Sequence, residues 1–174
     1  QNADLVGETA PTTWDEMIEM ANEAGFEDRP FILFTNGATG DGYSAYPLQT
    51  SFGAPVFVQD ESGSYTTEVG MGGENGEAFA TWLAEQGAAG TVDTAITYDI
   101  ALEAFKNGES PFIIGGPWMI GSFEGLNLAI DPIPSAGGSP AVPFAGVQGF
   151  YVSAQSANAL LANDFLVNYI ATEE

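Results

Sequence analysis

A chain of 174 residues with 45% apolar and 12% aromatic side chains has the length and the core-forming material of a well-packed domain, which excludes a disordered chain. Its 24 acidic residues face only Arg29 and Lys106, a formal net charge of −22, so no basic cluster exists to meet phosphates, which excludes nucleic acid and an anionic membrane surface as partners. With no cysteine and no histidine, the chain offers no thiolate or imidazole chemistry and no metal site built on either, leaving carboxylates as the candidates for proton transfer.

In chain order, the first predicted element is a helix. Thr13-Trp14-Asp15-Glu16 reads as a capping box, with Trp14, Met17, Ile18, Ala21 and Ala24 at helical spacing before Gly25. Phe31-Ile32-Leu33-Phe34 has the length and character of a buried strand and feeds the irregular loop "TNGATGDG". Tyr43, Tyr46, Leu48 and Phe52 then line a short helix broken near Gly53. Residues 60 to 64, "DESGS", form a hairpin tip between Val56-Phe57-Val58 and Tyr65-Thr66-Thr67. A second amphipathic helix carries Phe79, Trp82, Leu83 and Gln86 and stops at Gly87. A third runs from Thr97 to Asn107, with Ala101, Leu102 and Phe105 inward.

Phe112-Ile113-Ile114 reads as a strand, followed by the turn Gly115-Gly116-Pro117. Pro117 suits the first position of a short helix, since its ring presets φ and its missing N–H would be unpaired there anyway, and this puts Trp118 in that helix's first turn. Leu126, Leu128, Ile130 and Ile133 predict a further strand ended by prolines, "SAGGSPAVP" a loop, and "FAGVQGFYVSA" a last strand. Ser156 is the predicted cap of a closing helix bearing Leu160, Leu161, Phe165, Leu166, Tyr169 and Ile170. Strands interleaved with helices predict an α/β chain with a central sheet flanked by helices.

In such sheets ligands gather beyond the carboxyl ends of the strands, and two aromatic segments fall there: Tyr43 and Tyr46 after strand 31–34, and Trp118 after strand 112–114. An aromatic with a flat apolar face suits a ring that has both C–H and hydroxyl surface, as a sugar does. Trp14 and Trp82, on ordinary amphipathic helices, are core residues on this reading. Asp41 in "TGDGY" can accept hydrogen bonds from a ligand's hydroxyls or act as a turn former beside glycine. Asp93 and Asp99 belong near the start of the third helix, where acidic side chains are favoured. The acidic clusters "DESG" and "GENGE" lack calcium-loop spacing and read as loop tips. A glycosidase needs two carboxylates about 5 to 9 Å apart across a cleft. Among so many acidic residues some pair always fits, so a hydrolase fragment and a purely structural surface domain stand as alternatives.

The segments "PTTWDEM", "DGYSAYPLQTSFGAPVF", "YDIALEAFKNGESPFIIGGPWMIGSFE" and "VPFAGVQGFYVSAQSANALLANDFLVNYIATEE" together resemble the carbohydrate-binding proteins of ABC importers, of the maltose/maltodextrin-binding type. The most specific part is the run from Phe105 through Gly108-Glu109 to Gly116-Pro117-Trp118. The resemblance implies a non-catalytic, extracytoplasmic, two-lobed hinged receptor, periplasmic or anchored at the cell surface as a lipoprotein, that hands an oligosaccharide to an ABC permease without a cofactor or metal. It implies that this chain is mainly the second lobe: a periplasmic-binding-protein-like α/β lobe with a mixed central sheet over residues 1–143, and a hinge-crossing strand and helix over 144–174 that join the first lobe. Trp118 and Tyr43 match its sugar-stacking aromatics, Tyr46 a position that is often aromatic, Asp41 an acidic position that bonds sugar hydroxyls, and Tyr98 a further aromatic of the site. An isolated second lobe is expected to bind sugar only weakly, and its closing helix to pack back locally, swap into another chain or form a dimer.

Overall fold

The computed structural model describes residues 1–27, 41–93 and 95–171, which fall into two compact units, Gln1–Phe144 and Ala145–Glu174. The predicted strand 31–34 lies outside the described residues.

In the first unit a one-turn helix α1 (Ala3–Val6) precedes α2 (Trp14–Glu23). The Thr13 hydroxyl caps α2 by accepting from the Glu16 N–H at 3.2 Å. The Glu16 carboxylate reaches back to accept from the N–H and hydroxyl of Thr12, at 2.7 and 2.8 Å, with a weaker contribution from the Thr13 backbone N–H. Those bonds stabilise the charged form and hold the Glu16 carboxyl below its ordinary pKa. Trp14, Met17 and Ala21 share one face of α2 and are buried, which is the 3.6-residue pattern at work.

Helix α3 (Gly42–Ser51) contributes Leu48 to the same core, and α5 (Tyr98–Lys106), capped by Thr97, contributes Ala101. Between them lie the hairpin β1 (Phe57–Gln59) and β2 (Tyr65–Val69), joined antiparallel, and the long helix α4 (Gly73–Ala89). The hairpin tip is organised by Asp60, whose Oδ1 accepts from the N–H groups of Ser62 and Ser64. Helix α4 takes in the "GENGE" cluster, which reads from sequence as a loop tip, and runs through Gly87 to end at Gly90, whose φ of 77° is the left-handed cap that glycine alone adopts without strain. Trp82 of α4 meets Trp14 edge to face at 4.9 Å, and the Trp14 indole N–H donates to the Gln86 side chain at 2.9 Å. Trp14 is a core residue, and Trp82 packs partly buried beside it. A second cluster joins Phe105 of α5 to Met119 and Phe123 of a 3₁₀ helix (Pro117–Phe123).

The expected mixed central sheet is not found among the described residues, whose sheet is the two-stranded hairpin alone. Residues 112–114 belong to no ladder, and residues 126–133 make a single bridge, Asn2 to Leu128. The physical reason is general: an apolar run reports burial, whereas a strand needs a paired edge. Phe112 is indeed buried, but as a packed coil residue.

The strand predicted from residue 144 onward is likewise unpaired coil: Phe144 ends the first unit, and residues 145–153 of the second carry no ladder. The closing helix is α6 (Ala159–Phe165) continued by a π-helical turn (Leu166–Ile170). Its N-cap is Asn158, and Ser156 stands two residues earlier, accepting from the Asn158 N–H.

Among the described residues the cation Lys106 sits 3.9 Å from Glu103, with both side chains more than half exposed. The acidic surface therefore repels itself, and screening relieves that repulsion. The unfolding midpoint at neutral pH is expected to rise by several degrees between about 0.05 and 2 M KCl, where the Debye length shrinks to a few ångströms. A midpoint that falls or stays level over this range contradicts the reading.

Candidate functional site

The site begins with a helix start. Asp41 caps α3, its Oδ1 accepting from the N–H groups of Tyr43 and Ser44 at 3.0 and 3.1 Å. The turn-forming role that Asp beside Gly suggests is the one observed, and it sets the Tyr43 backbone in the first turn of α3. Three residues on, one helical turn, comes Tyr46, so both phenol rings leave the same face of α3. Pro47 inside α3 has no N–H to give the Tyr43 carbonyl four residues back, so that carbonyl lacks its ordinary helical donor.

Trp118 arrives from the other side of the rim. Pro117 opens the 3₁₀ helix as predicted, and Trp118 follows at 59% exposed. The two small residues before it have a steric purpose. A Cβ on Gly116 would run into the six-membered ring of Trp118, and a Cβ on Gly115 into the Met119 sulfur. The indole thus folds back over bare backbone, while Met119 plunges into the second core cluster at 4% exposed.

These elements bring Trp118 and Tyr43 together: their ring centroids are 6.0 Å apart and the planes meet at 60°. Tyr43 is 47% exposed, so the pair is a bent aromatic surface open to solvent. Tyr46 is different. It is buried, and its hydroxyl accepts from the Val56 N–H at 3.3 Å, so it supports the surface from below. Phe144, a residue the sequence reading assigned only to the chain's crossing, stacks face to face on Tyr46 at 3.8 Å and lies against Tyr43 at 5.4 Å. Tyr98, at the first position of α5, enters no ring contact with this cluster among the described residues.

A separate cavity of about 230 Å³ lies behind the 3₁₀ helix, lined by Ile113, Ile114, Met119, Leu128 and Ile133 among others. Gln1 and Asp131 also line it, so its wall is mostly apolar with two polar residues. Among the described residues no group of acidic side chains is arranged to hold a metal ion.

Two comparisons with known proteins bear on this geometry. The model of a family described as bacterial extracellular solute-binding protein matches residues 1–174. The maltodextrin-binding protein MdxE of Bacillus subtilis (strain 168) is 28% identical over 178 residues, covering 95% of this chain and 41% of that protein. The chain therefore spans about two fifths of the length of this curated relative.

The geometry generates a direct test of the rim. Trp118→Phe is expected to remove the acrylamide-accessible part of the tryptophan emission, leaving that of Trp14 and Trp82. Gly116→Ala, by pushing the indole off the backbone, should shift the Trp118 emission without removing it. Unchanged quenching in Trp118→Phe would mean that the indole is enclosed.

Proposed function

Because this chain belongs to the bacterial extracellular solute-binding proteins, a non-catalytic family with a periplasmic-binding-protein-like fold whose members work outside the cytoplasm, we propose that its first unit supplies the aromatic surface on which a carbohydrate stacks. The single observation that carries this reading is the solvent-facing pair of Trp118 and Tyr43, held by glycine clearance on one side and a helix cap on the other.

The physical fit is one of surfaces. A pyranose presents C–H groups to an aromatic face and hydroxyls to its edge, and the apolar contact is what two exposed rings can offer. Planes inclined at 60° suit successive sugar rings turned against each other, as in an α-linked glucan. A maltodextrin is accordingly the ligand class proposed, supported by the name of the Bacillus relative. In the longer receptor the partner is an ABC permease, and the protein is periplasmic or a cell-surface lipoprotein. Asp41 and Tyr98 are proposed as further ligand residues there: Asp41 through the edge of its capping carboxylate, Tyr98 through a partly exposed phenol. A mixed central sheet belongs to that longer protein on this proposal.

Family membership removes the glycoside hydrolase fragment. The absence of histidine and cysteine suits the receptor, since selection by shape and hydrogen bonds needs no proton carrier.

We further propose that the second unit is completed by the first lobe of the longer protein. Leu160 and Leu161 of α6 and Tyr151 before it are 90%, 70% and 92% exposed, more apolar surface than a finished monomer leaves open. In this chain alone, the same surface is expected to draw a second copy. Sedimentation should show a dimer that Leu160→Asp with Leu161→Asp disperses, and a strict monomer at high concentration would overturn this.

The sugar reading is tested by titrating the chain with maltotriose while following tryptophan emission. Saturation is expected only in the millimolar range, an affinity worth about 4 kcal/mol, because one wall of the cleft is present. Trp118→Ala and Tyr43→Ala should each weaken it by at least about tenfold, roughly the 1.4 kcal/mol of one good stacking contact. Micromolar affinity in this chain would contradict the one-wall account, and a response indifferent to both substitutions would leave the unit a structural surface domain.

A further inference from the structure

We propose that Phe144 is the positioning residue of the aromatic surface: it takes up one face of Tyr43, fixes the plane of that ring, and leaves the ring's other face as the one available to a ligand. This rests on the carbohydrate reading of the Trp118–Tyr43 pair, and adds to it a residue that touches no ligand.

The argument starts from helix geometry. Side chains three residues apart on α3 have Cβ atoms about 5 to 6 Å from each other, so two tyrosines there can lie on one another or open to admit a third ring. Here the third ring is Phe144. It lies parallel to Tyr46, 9° between planes at 3.8 Å, and 29° from Tyr43 at 5.4 Å. A contact that close admits no sugar between Phe144 and Tyr43. The stack has a fixed bottom, because Tyr46 is buried and its hydroxyl is bonded to the Val56 N–H.

Phe144 itself is held from its own chain. Two residues upstream, Val142 donates its N–H to the Thr50 hydroxyl at 2.8 Å, and that hydroxyl's one proton faces the Pro47 carbonyl at 2.8 Å and the Val142 carbonyl at 3.1 Å. Thr50 belongs to α3, the helix that carries both tyrosines. The segment bringing Phe144 and the rings it separates are therefore tied to one element. Phe144 is 40% exposed, which is the position of a rim residue setting a neighbour's orientation, since a core residue would be enclosed.

The experiment uses the chain labelled with 3-fluorotyrosine and read by fluorine NMR, with Tyr43→Phe and Tyr46→Phe assigning the two signals. Ring currents from Phe144 should displace both signals from those of Tyr65 and Tyr151, which are 70% and 92% exposed. In Phe144→Ala the Tyr43 signal is expected to move at least halfway to the exposed position, while Phe144→Tyr, which keeps a flat face, restores it. Thr50→Val should move it in the same direction by releasing Val142. If Phe144→Ala unfolds, Phe144→Leu, apolar but without a flat face, takes its place. With maltotriose added, the dissociation constant should rise about 3- to 10-fold in Phe144→Ala and stay at the wild-type value in Phe144→Tyr. A Tyr43 signal that does not move in Phe144→Ala or Phe144→Leu overturns the positioning role whatever the sugar does. A wild-type Tyr43 signal that is displaced by Phe144 yet deaf to maltotriose instead overturns the carbohydrate reading, and with it the ligand consequence alone.

Discussion

One buried hydroxyl governs how the rim is put together. Ser51, the last residue of α3, is fully buried, and its Oγ accepts from the N–H groups of Ala136 and Gly137 at 3.2 and 2.9 Å while donating to the Leu48 carbonyl at 2.6 Å. Ser139 closes the arrangement by donating its N–H to the Ser51 carbonyl. A proline- and glycine-rich loop with no helix or strand of its own is thereby fastened to the end of α3, as buried polar groups must be if their desolvation is to be offset. Thr50 then fixes the same loop at Val142. Everything at the rim that depends on residues 135–144 meeting α3, Phe144 included, follows from these two adjacent hydroxyls.

With α3 and its loop joined, the remaining requirement is that two aromatic rings stay in water. That is costly in isolation, because exposed apolar area is what folding removes. The chain meets the cost with short-range constraints: a glycine whose missing Cβ makes room for Trp118, and a carboxylate that sets the backbone of Tyr43. Neither device fills a core, and both act on where a ring points. The surrounding acidity, a formal net charge of −22, reveals no partner selection in this geometry. A solute-binding family, with its ligand held by shape and hydrogen bonds, is the context in which such a surface has a use.

Much of this was legible in the chain itself, and the divide between what was and what was not is physical. Local signals were reliable: Thr13, Thr97 and the Asn107 stop mark real helix ends, Asp60 marks a real hairpin tip, and Gly115-Gly116-Pro117 marks the turn before Trp118. These are decided within a few residues by caps, turns and fixed φ. Sheet membership was not legible, since the apolar runs Phe112-Ile113-Ile114 and Leu126–Ile133 do not state their pairing, and the second leaves Ile130 73% exposed. Gly87 looked like a stop, yet tolerates the interior of α4, and the left-handed residue is Gly90. That Tyr43 and Trp118 stand exposed at element starts could be read from sequence, because each follows a turn signal. The stacking of Phe144 on the two tyrosines could not, as it joins residues about a hundred positions apart. The only hint was an aromatic directly after the prolines of the loop.

The central claim is that the exposed Trp118–Tyr43 pair meets the C–H face of a sugar. Saturation-transfer NMR on the unlabelled chain with maltotriose, irradiating only the aromatic protons, measures that contact without needing tight binding. The account predicts that saturation reaches the ring C–H protons of maltotriose, and that it collapses in Trp118→Ala combined with Tyr43→Ala. Transfer of equal strength in the doubly substituted chain, or none in the original, would contradict it.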